Sequence, residues 1–182
     1  METSIVIAGF GGQGVLFAGQ LLAYAGMDNN LHVTWIPSYG PEMRGGTANC
    51  TVIVADEPVG APIVANPDVA IVLNLPSLEK YEPLVKSGGL LVVNSSLITR
   101  TVARTDVDVA YVPANDIAEE LGSAKMMNMA ALGALLAQRP ILTLDQLMRT
   151  LDDHLPARKA HLLEANKLVI QKGYAVATAV LA

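Results

Sequence analysis

The residues best placed to do chemistry stand near the amino terminus. In Gly9-Phe10-Gly11-Gly12-Gln13-Gly14, the glycines at 9, 11 and 14 keep a G-x-G-x-x-G spacing. Glycine is wanted where a turn needs positive φ, or where backbone must come close to a ligand. The amides of such a turn, including those of Gly11, Gly12 and Gln13, lie at the start of the helix that follows. Together with the positive end of the helix dipole they suit an anionic group such as phosphate. Glycines that only let strand and helix pack closely are the plainer reading of the same pattern.

A second candidate is Ser38-Tyr39-Gly40-Pro41-Glu42-Met43-Arg44-Gly45-Gly46. Gly-Pro and Gly-Gly punctuate a loop of special geometry, and between them sit a carboxylate, a thioether and a guanidinium. The planar fork of Arg44 suits phosphate, carboxylate or an acidic group of a partner; pairing with Glu42 is the local alternative. Tyr39 is either a packing anchor for the loop or a donor facing a ligand. The third candidate is Met126-Met127-Asn128-Met129. Methionine is adaptable core filler and also makes a soft contact surface for a partner, where Asn128 could orient a polar group.

These residues need elements to hold them. Ser4–Ala8 reads as a strand, Gln13–Gly26 as the first helix and His32–Ile36 as the second strand. Ala48–Ala55, Val69–Leu73, Gly89–Asn94 and Val107–Val112 follow as strands. Val69–Leu73 is a short unbroken apolar run of the kind buried on both faces of a parallel sheet. Between them Ser77–Lys86 is expected as a helix capped by Ser77. The last third turns helical. Asn115 is expected to cap Asp116–Leu121, and Lys125–Gln138 runs until Pro140. Thr143-Leu144-Asp145-Gln146 is a capping box opening a helix to about His154. Pro156 suits the first turn of a final helix, which Gly173 is expected to end; Leu162, Ala165 and Val169 mark its packed face. The sequence thus predicts an α/β fold: a Rossmann-like open, mostly parallel sheet with flanking helices and a helical C-terminal third, in a single domain spanning 1–182. Ligands of such sheets bind at the carboxyl ends of the strands. The glycine turn and the Arg44 loop should share that edge, with Arg44 facing the crevice.

A nicotinamide dinucleotide site would want Asp or Glu at the end of the second strand to hold the ribose hydroxyls. No carboxylate follows Ile36 until Glu42. A free-standing NAD(P)- or flavin-binding oxidoreductase therefore rests on Gly9, Gly11 and Gly14 alone. A binding site for another anion, or for a partner's segment, and a purely structural subunit are the competing readings.

Composition narrows the partners. Hydrophobic residues make up 52% of the 182 and charged residues only 16%, with a mean hydropathy of +0.40. The longest clean apolar run, Met129–Ala137, is far short of the ~20 residues a membrane-spanning helix needs. A chain this apolar is expected to hide surface against another subunit. The net charge of −5 and the lack of a Lys/Arg cluster argue against nucleic acid. Met1-Glu2-Thr3-Ser4 does not read as a signal peptide, and the expected location is cytoplasmic. Cys50 is the single cysteine, so one chain cannot supply the roughly four thiolates of an iron–sulfur cluster; in its apolar strand it reads as a buried, inert thiol. His32, His154 and His161 have no metal spacing.

Taken together, Gly9-x-Gly11-Gly12-Gln13-Gly14, Tyr39-Gly40-Pro41-Glu42-Met43-Arg44-Gly45-Gly46 and Asn128-Met129-x-x-Leu132-Gly133 resemble the gamma subunit of 2-oxoacid:ferredoxin (acceptor) oxidoreductases. The resemblance covers roughly residues 3 to 175, and the form of the second motif is most similar to the 2-oxoglutarate enzymes, with branched-chain and pyruvate enzymes next. It implies a subunit of an enzyme that decarboxylates a 2-oxoacid oxidatively to its acyl-coenzyme A. Thiamine diphosphate, magnesium and iron–sulfur clusters would be held by alpha and beta subunits, often with a ferredoxin-like delta subunit. Electrons would leave to ferredoxin or another acceptor. The chain alone would be inactive, with no catalytic residue and no metal site of its own. Its domain would cover the active-site region where coenzyme A enters. Gly9, Gly11, Gly12, Gln13, Gly14, Tyr39, Arg44, Gly45, Gly46 and Asn128 are then the residues expected to contact coenzyme A or a partner subunit.

Overall fold

Unbroken apolar runs become the middle of the sheet. β4 (Val69–Val72) and β5 (Leu90–Asn94) are buried along their whole length, because helices or loops cover both faces. The computed structural model describes residues 1–38, 47–122 and 124–179. Around β4 and β5 stand β1 (Glu2–Phe10), β2 (His32–Ser38), β3 (Thr47–Ala55) and β6 (Asp108–Val112), in the order β2-β3-β1-β4-β5-β6. β1, β4, β5 and β6 are mutually parallel. β3 is antiparallel to both its neighbours, so β2 again runs the same way as β1.

One face of the sheet is covered by α1 (Val15–Asp28), α3 (Ala114–Glu120), α4 (Met127–Gln138), α5 (Leu144–His154) and α6 (Leu163–Ala179). The other face is covered by α2 (Leu75–Tyr81) and the segment around Ile98 and Val107, packed on Val6, Ala8, Val72 and Val93. α4 is the most enclosed of the helices; every residue from Met127 to Leu136 is buried. The capping box of α5 forms as expected: Gln146 N–H donates to Thr143 Oγ1 at 3.2 Å and Thr143 N–H to Gln146 Oε1 at 2.8 Å. The ring of His154 at its far end stacks on Tyr24 of α1, centroids 4.2 Å apart.

Several helix ends differ from the sequence expectation. α2, expected to run to Lys86, ends at Tyr81 and gives way to a 3-10 turn, Glu82–Leu84. α2 starts earlier than Ser77. Asn74 is its cap, accepting the Ser77 N–H at 2.9 Å, and Pro76 fits the first turn. Asn115 lies inside α3, with Pro113 at the cap position; its Oδ1 accepts instead from Asn94 Nδ2 at 2.8 Å. Pro156 precedes a 3-10 segment, Ala157–Leu162, and α6 begins only at Leu163. Gly173 does not end α6 but lies within it. A Cβ there would overlap the Ala130 backbone, and one on Gly133 would overlap the Ile170 carbonyl. The two glycines are contact points at which α4 and α6 touch backbone to backbone.

Candidate functional site

The carboxyl end of β1 runs straight into the glycine turn. Gln13 N–H donates to the Phe10 carbonyl at 3.1 Å, closing a four-residue turn whose third position, Gly12, has φ +98°. Type II turns need positive φ there. Gly14 is also left-handed, at φ +72°, and is the cap residue of α1. Among the described residues no side chain caps the first amides of that helix, which makes this helix start a fitting place for an anion. Gly9 has another reason to be glycine: a Cβ would stand 2.5 Å from Gln13 Oε1 and 3.1 Å from Leu73 Cβ.

Beneath the turn lies a layer of buried amides. Gln13 is turned inward. Its Oε1 accepts the Phe10 N–H at 2.6 Å and its Nε2 donates to the Leu73 carbonyl at 3.3 Å. Asn94 Nδ2 donates to that same carbonyl at 3.3 Å, and Asn94 Oδ1 accepts the Ala114 N–H at 3.2 Å. Both amides reach the sulfur of Met127, Gln13 at 3.6 Å and Asn94 at 4.0 Å. Asn128, at the start of α4, donates from Nδ2 to the Gly14 carbonyl at 3.0 Å. A Cβ on Gly14 would stand 2.5 Å from that nitrogen. Of the sequence candidates, then, Gln13 and Asn128 hold the turn from inside, while Gly11, Gly12 and Gly14 line its outer surface.

Two grooves flank that surface. One, of about 240 Å³, is lined by Phe10, Gly11, Gly12, Gly14 and Phe17, with Ala48 of β3. The other, of about 400 Å³, runs between Gly12, Gly14 and Phe17 on one side and Lys125, Asn128, Lys159 and Asn166 on the other. Lys159 Nζ sits 5.2 Å from the Phe17 ring centroid. Its ammonium thus lies over a ring face within cation–π range. The sequence reading missed Phe17, Lys125, Lys159 and Asn166. Only the fold brings 125, 159 and 166 to the turn, and no spacing in the chain signals it. The two lysines beside a helix start give the larger groove positive character, and its volume falls in the range of small-ligand sites.

Tyr39, Arg44, Gly45 and Gly46, with the rest of 39–46, lie outside the described residues. The flanks of that loop are placed. Ser38 pairs with Asn49, and Thr47 pairs with Phe10, so the hairpin joining β2 to β3 leaves and rejoins the sheet beside the glycine turn.

Cys50 is buried in β3, its Sγ 3.5 Å from the Val15 carbonyl, and burial pushes its thiol up to about 11. Among the described residues no group of three or more His, Cys, Asp or Glu stands together to hold a metal ion. No helix among them is long and apolar enough to cross a membrane.

Comparison with known proteins gives a consistent result. Residues 4–176 match the family model described as pyruvate ferredoxin/flavodoxin oxidoreductase. The chain is 34% identical over 180 residues to the 2-oxoglutarate synthase subunit KorC of Methanocaldococcus jannaschii, covering 97% of this chain and 95% of that one. It is 43% identical over 136 residues to the ketoisovalerate oxidoreductase subunit VorA of Methanothermobacter thermautotrophicus, covering 75% of this chain but only 28% of that longer protein. Among solved structures it resembles the 2-oxoglutarate:ferredoxin oxidoreductase of Magnetococcus marinus, whose structure has 2-oxoglutarate, coenzyme A and succinyl-CoA bound. That likeness has a TM-score of 0.87 at 26% identity, over 98% of this chain and 31% of the other.

Proposed function

The chain belongs to the pyruvate ferredoxin/flavodoxin oxidoreductase family, and on that premise we propose that it works as the gamma-type subunit of a 2-oxoacid:ferredoxin (or other acceptor) oxidoreductase. Its substrate class is the 2-oxoacids, with 2-oxoglutarate first and ketoisovalerate second, after the proteins it is similar to. Residues 1–182 act as one unit in the cytoplasm. Alpha and beta subunits, joined in some assemblies by a ferredoxin-like delta subunit, carry thiamine diphosphate, magnesium and the iron–sulfur clusters.

The observation that carries this reading is the crevice: a glycine turn with free helix-start amides, flanked by Lys125 and Lys159, with no acid at the end of β2 to hold a ribose. These residues fit the anionic part of coenzyme A. Gly12 sets no side chain against the groove, the Gly12 and Gly14 amides offer N–H donors while that of Gln13 closes the turn on Phe10, and the two ammonium groups supply counter-charge. Bound coenzyme A supplies the thiol that takes up the acyl group. This chain's own residues bind and orient: Gly11, Gly12 and Gly14 on the outer surface, Gln13 and Asn128 holding the turn, Gly9 letting it pack. Arg44, Tyr39, Gly45 and Gly46 join them from the neighbouring hairpin loop, with Arg44 on a phosphate or an acidic group. Family membership favours this reading over a free-standing nicotinamide enzyme.

The test is purification of the complex with its own partners under anaerobic conditions, followed by viologen dye reduction with 2-oxoglutarate or ketoisovalerate. Reduction should require coenzyme A, and Lys159→Ala should raise its KM about tenfold with kcat little changed. An unchanged KM removes the groove from coenzyme A binding. A chain that elutes alone and binds NADH saturably overturns the subunit reading.

A further inference from the structure

The carboxyl edge of the sheet carries more than the crevice. Ile36 on β2, Phe10 at the end of β1, Leu75 just after β4, Leu97 after β5 and Tyr111 on β6 are between 36% and 47% exposed. They follow one another in the order of the strands. The register sets the strand members on one face. Ala8, Val72, Val93 and Tyr111 form a single transverse row, continued through Asn49 to Ser38. Phe10 and Ile36 each lie two residues from a member of that row, so they share its side, that of α2. Isolated exposed apolar residues are ordinary; a run across a whole sheet edge marks a surface that another body covers.

We propose that this row is the face on which a larger subunit of the same enzyme docks, the equivalent of the part that accompanies this domain in its longer relatives. The inference rests on the function proposed above. A crevice that holds a reactant, in a chain without the reacting centre, must open toward the chain that has one. The row borders that crevice, because Phe10 also lines the smaller groove with Gly11 and Gly12. The longer relatives give the occupant its identity. The part that matches this chain makes up 28% of the VorA chain and 31% of the Magnetococcus chain, so the greater part of each polypeptide is available to cover it. No residue of the row is charged, and the matching surface is accordingly apolar. A second copy of this chain is the competing occupant.

The experiment co-expresses the tagged chain with the other subunits of its enzyme and weighs the larger subunit retained. Ile36→Lys with Leu97→Lys should lower retention by about tenfold. Ile63→Lys with Met27→Lys, at positions 85% and 59% exposed, the second at the end of α1 far from the glycine turn, should leave it near wild type. A photoreactive p-benzoylphenylalanine replacing Leu97 in the otherwise native chain keeps the test independent of variant folding. It should cross-link to the larger subunit, and the same group at Ile63 should not. Equal retention by the edge variant, or a cross-link to a second copy of this chain, overturns the docking face alone. A native chain that retains no larger subunit removes the gamma-subunit reading, and this inference with it.

Discussion

At the amino edge of the sheet the strands are tied by charge. Asp68 accepts from Ser4 N–H at 2.8 Å and pairs with Lys86 at 2.7 Å. Arg139 bridges Asp108 at 2.7 Å and the Gly88 carbonyl at 3.0 Å, and the amino terminus pairs with Asp56. At the carboxyl edge the ties are neutral amides, Gln13, Asn94 and Asn128, buried and bonded to backbone. Solvent-facing ion pairs contribute little and tolerate change. Buried amides leave unpaired donors when removed, at a cost of about 1–3 kcal/mol each. One edge is therefore replaceable, while the other is a rigid platform whose outward amides the proposed function assigns to coenzyme A.

Two glycines put the contrast in its sharpest form. Gly14 and Gly88 have nearly the same backbone, φ +72° and +74°, on opposite edges. Gly14→Ala meets Asn128 as well as the left-handed penalty, and should cost about 3 kcal/mol and abolish coenzyme A binding. Denaturant midpoints and a coenzyme A titration check it, and a loss under about 1 kcal/mol would show that the turn relaxes freely. Gln13→Leu comes next. It strands the Phe10 N–H and should cost about 2 kcal/mol, with faster hydrogen exchange at Phe10 as the local readout. Gly88→Ala meets open space and bears only the left-handed cost of about 1 kcal/mol, a fall in Tm of about 2–4 °C. If it destabilises as much as Gly14→Ala, the two edges are not different in kind.

The smallest effect at neutral pH is electrostatic. Burial alone would raise the carboxyl of Asp68, but Lys86 and Ser4 outweigh it and hold it below the usual value of 3.8. Glu82 likewise ends below 4.5, where Arg100 and the Ala103 and Arg104 amides outweigh its burial. A carboxyl depressed on folding stabilises fully above its unfolded value, and that stability is lost as pH falls through the folded value. Urea midpoints should accordingly drop between pH 5 and pH 3. Asp68→Asn should flatten that drop, with a change at pH 7 below about 1 kcal/mol.

Local chemistry was legible in the chain and distant contact was not. The apolar runs of β4 and β5, the capping box at Thr143 and the strand–turn–helix around Gly9 to Gly14 are short-range patterns, and each stands where the sequence puts it. Gly173 shows the opposite case. A glycine near a helix end reads as a stop, yet this one is needed because Ala130, distant in sequence, lies against it. Asn74 took the cap expected of Ser77 because β4 ends at Val72 and the chain turns into helix directly after Leu73. Gln13 reads as a ligand contact by its place in the motif; its inward turn depends on Leu73 and Met127, which only the fold supplies. Lys125 and Lys159 reach the groove for the same reason.

The contact between Gly133 and Gly173 also bears on the order of events during synthesis. α4 is buried from Met127 to Leu136, and one side of it packs backbone to backbone on α6. The Asn128 that steadies the glycine turn sits on α4. At roughly 5–20 residues per second, the strands and α4 leave the ribosome a second or more before residues 163–179. In that interval the nascent chain displays an unsealed greasy helix and a turn with an unsteady support. A trigger-type chaperone should hold the chain longest over this window, and the ability to bind an anion should arise late, when the last described helix docks.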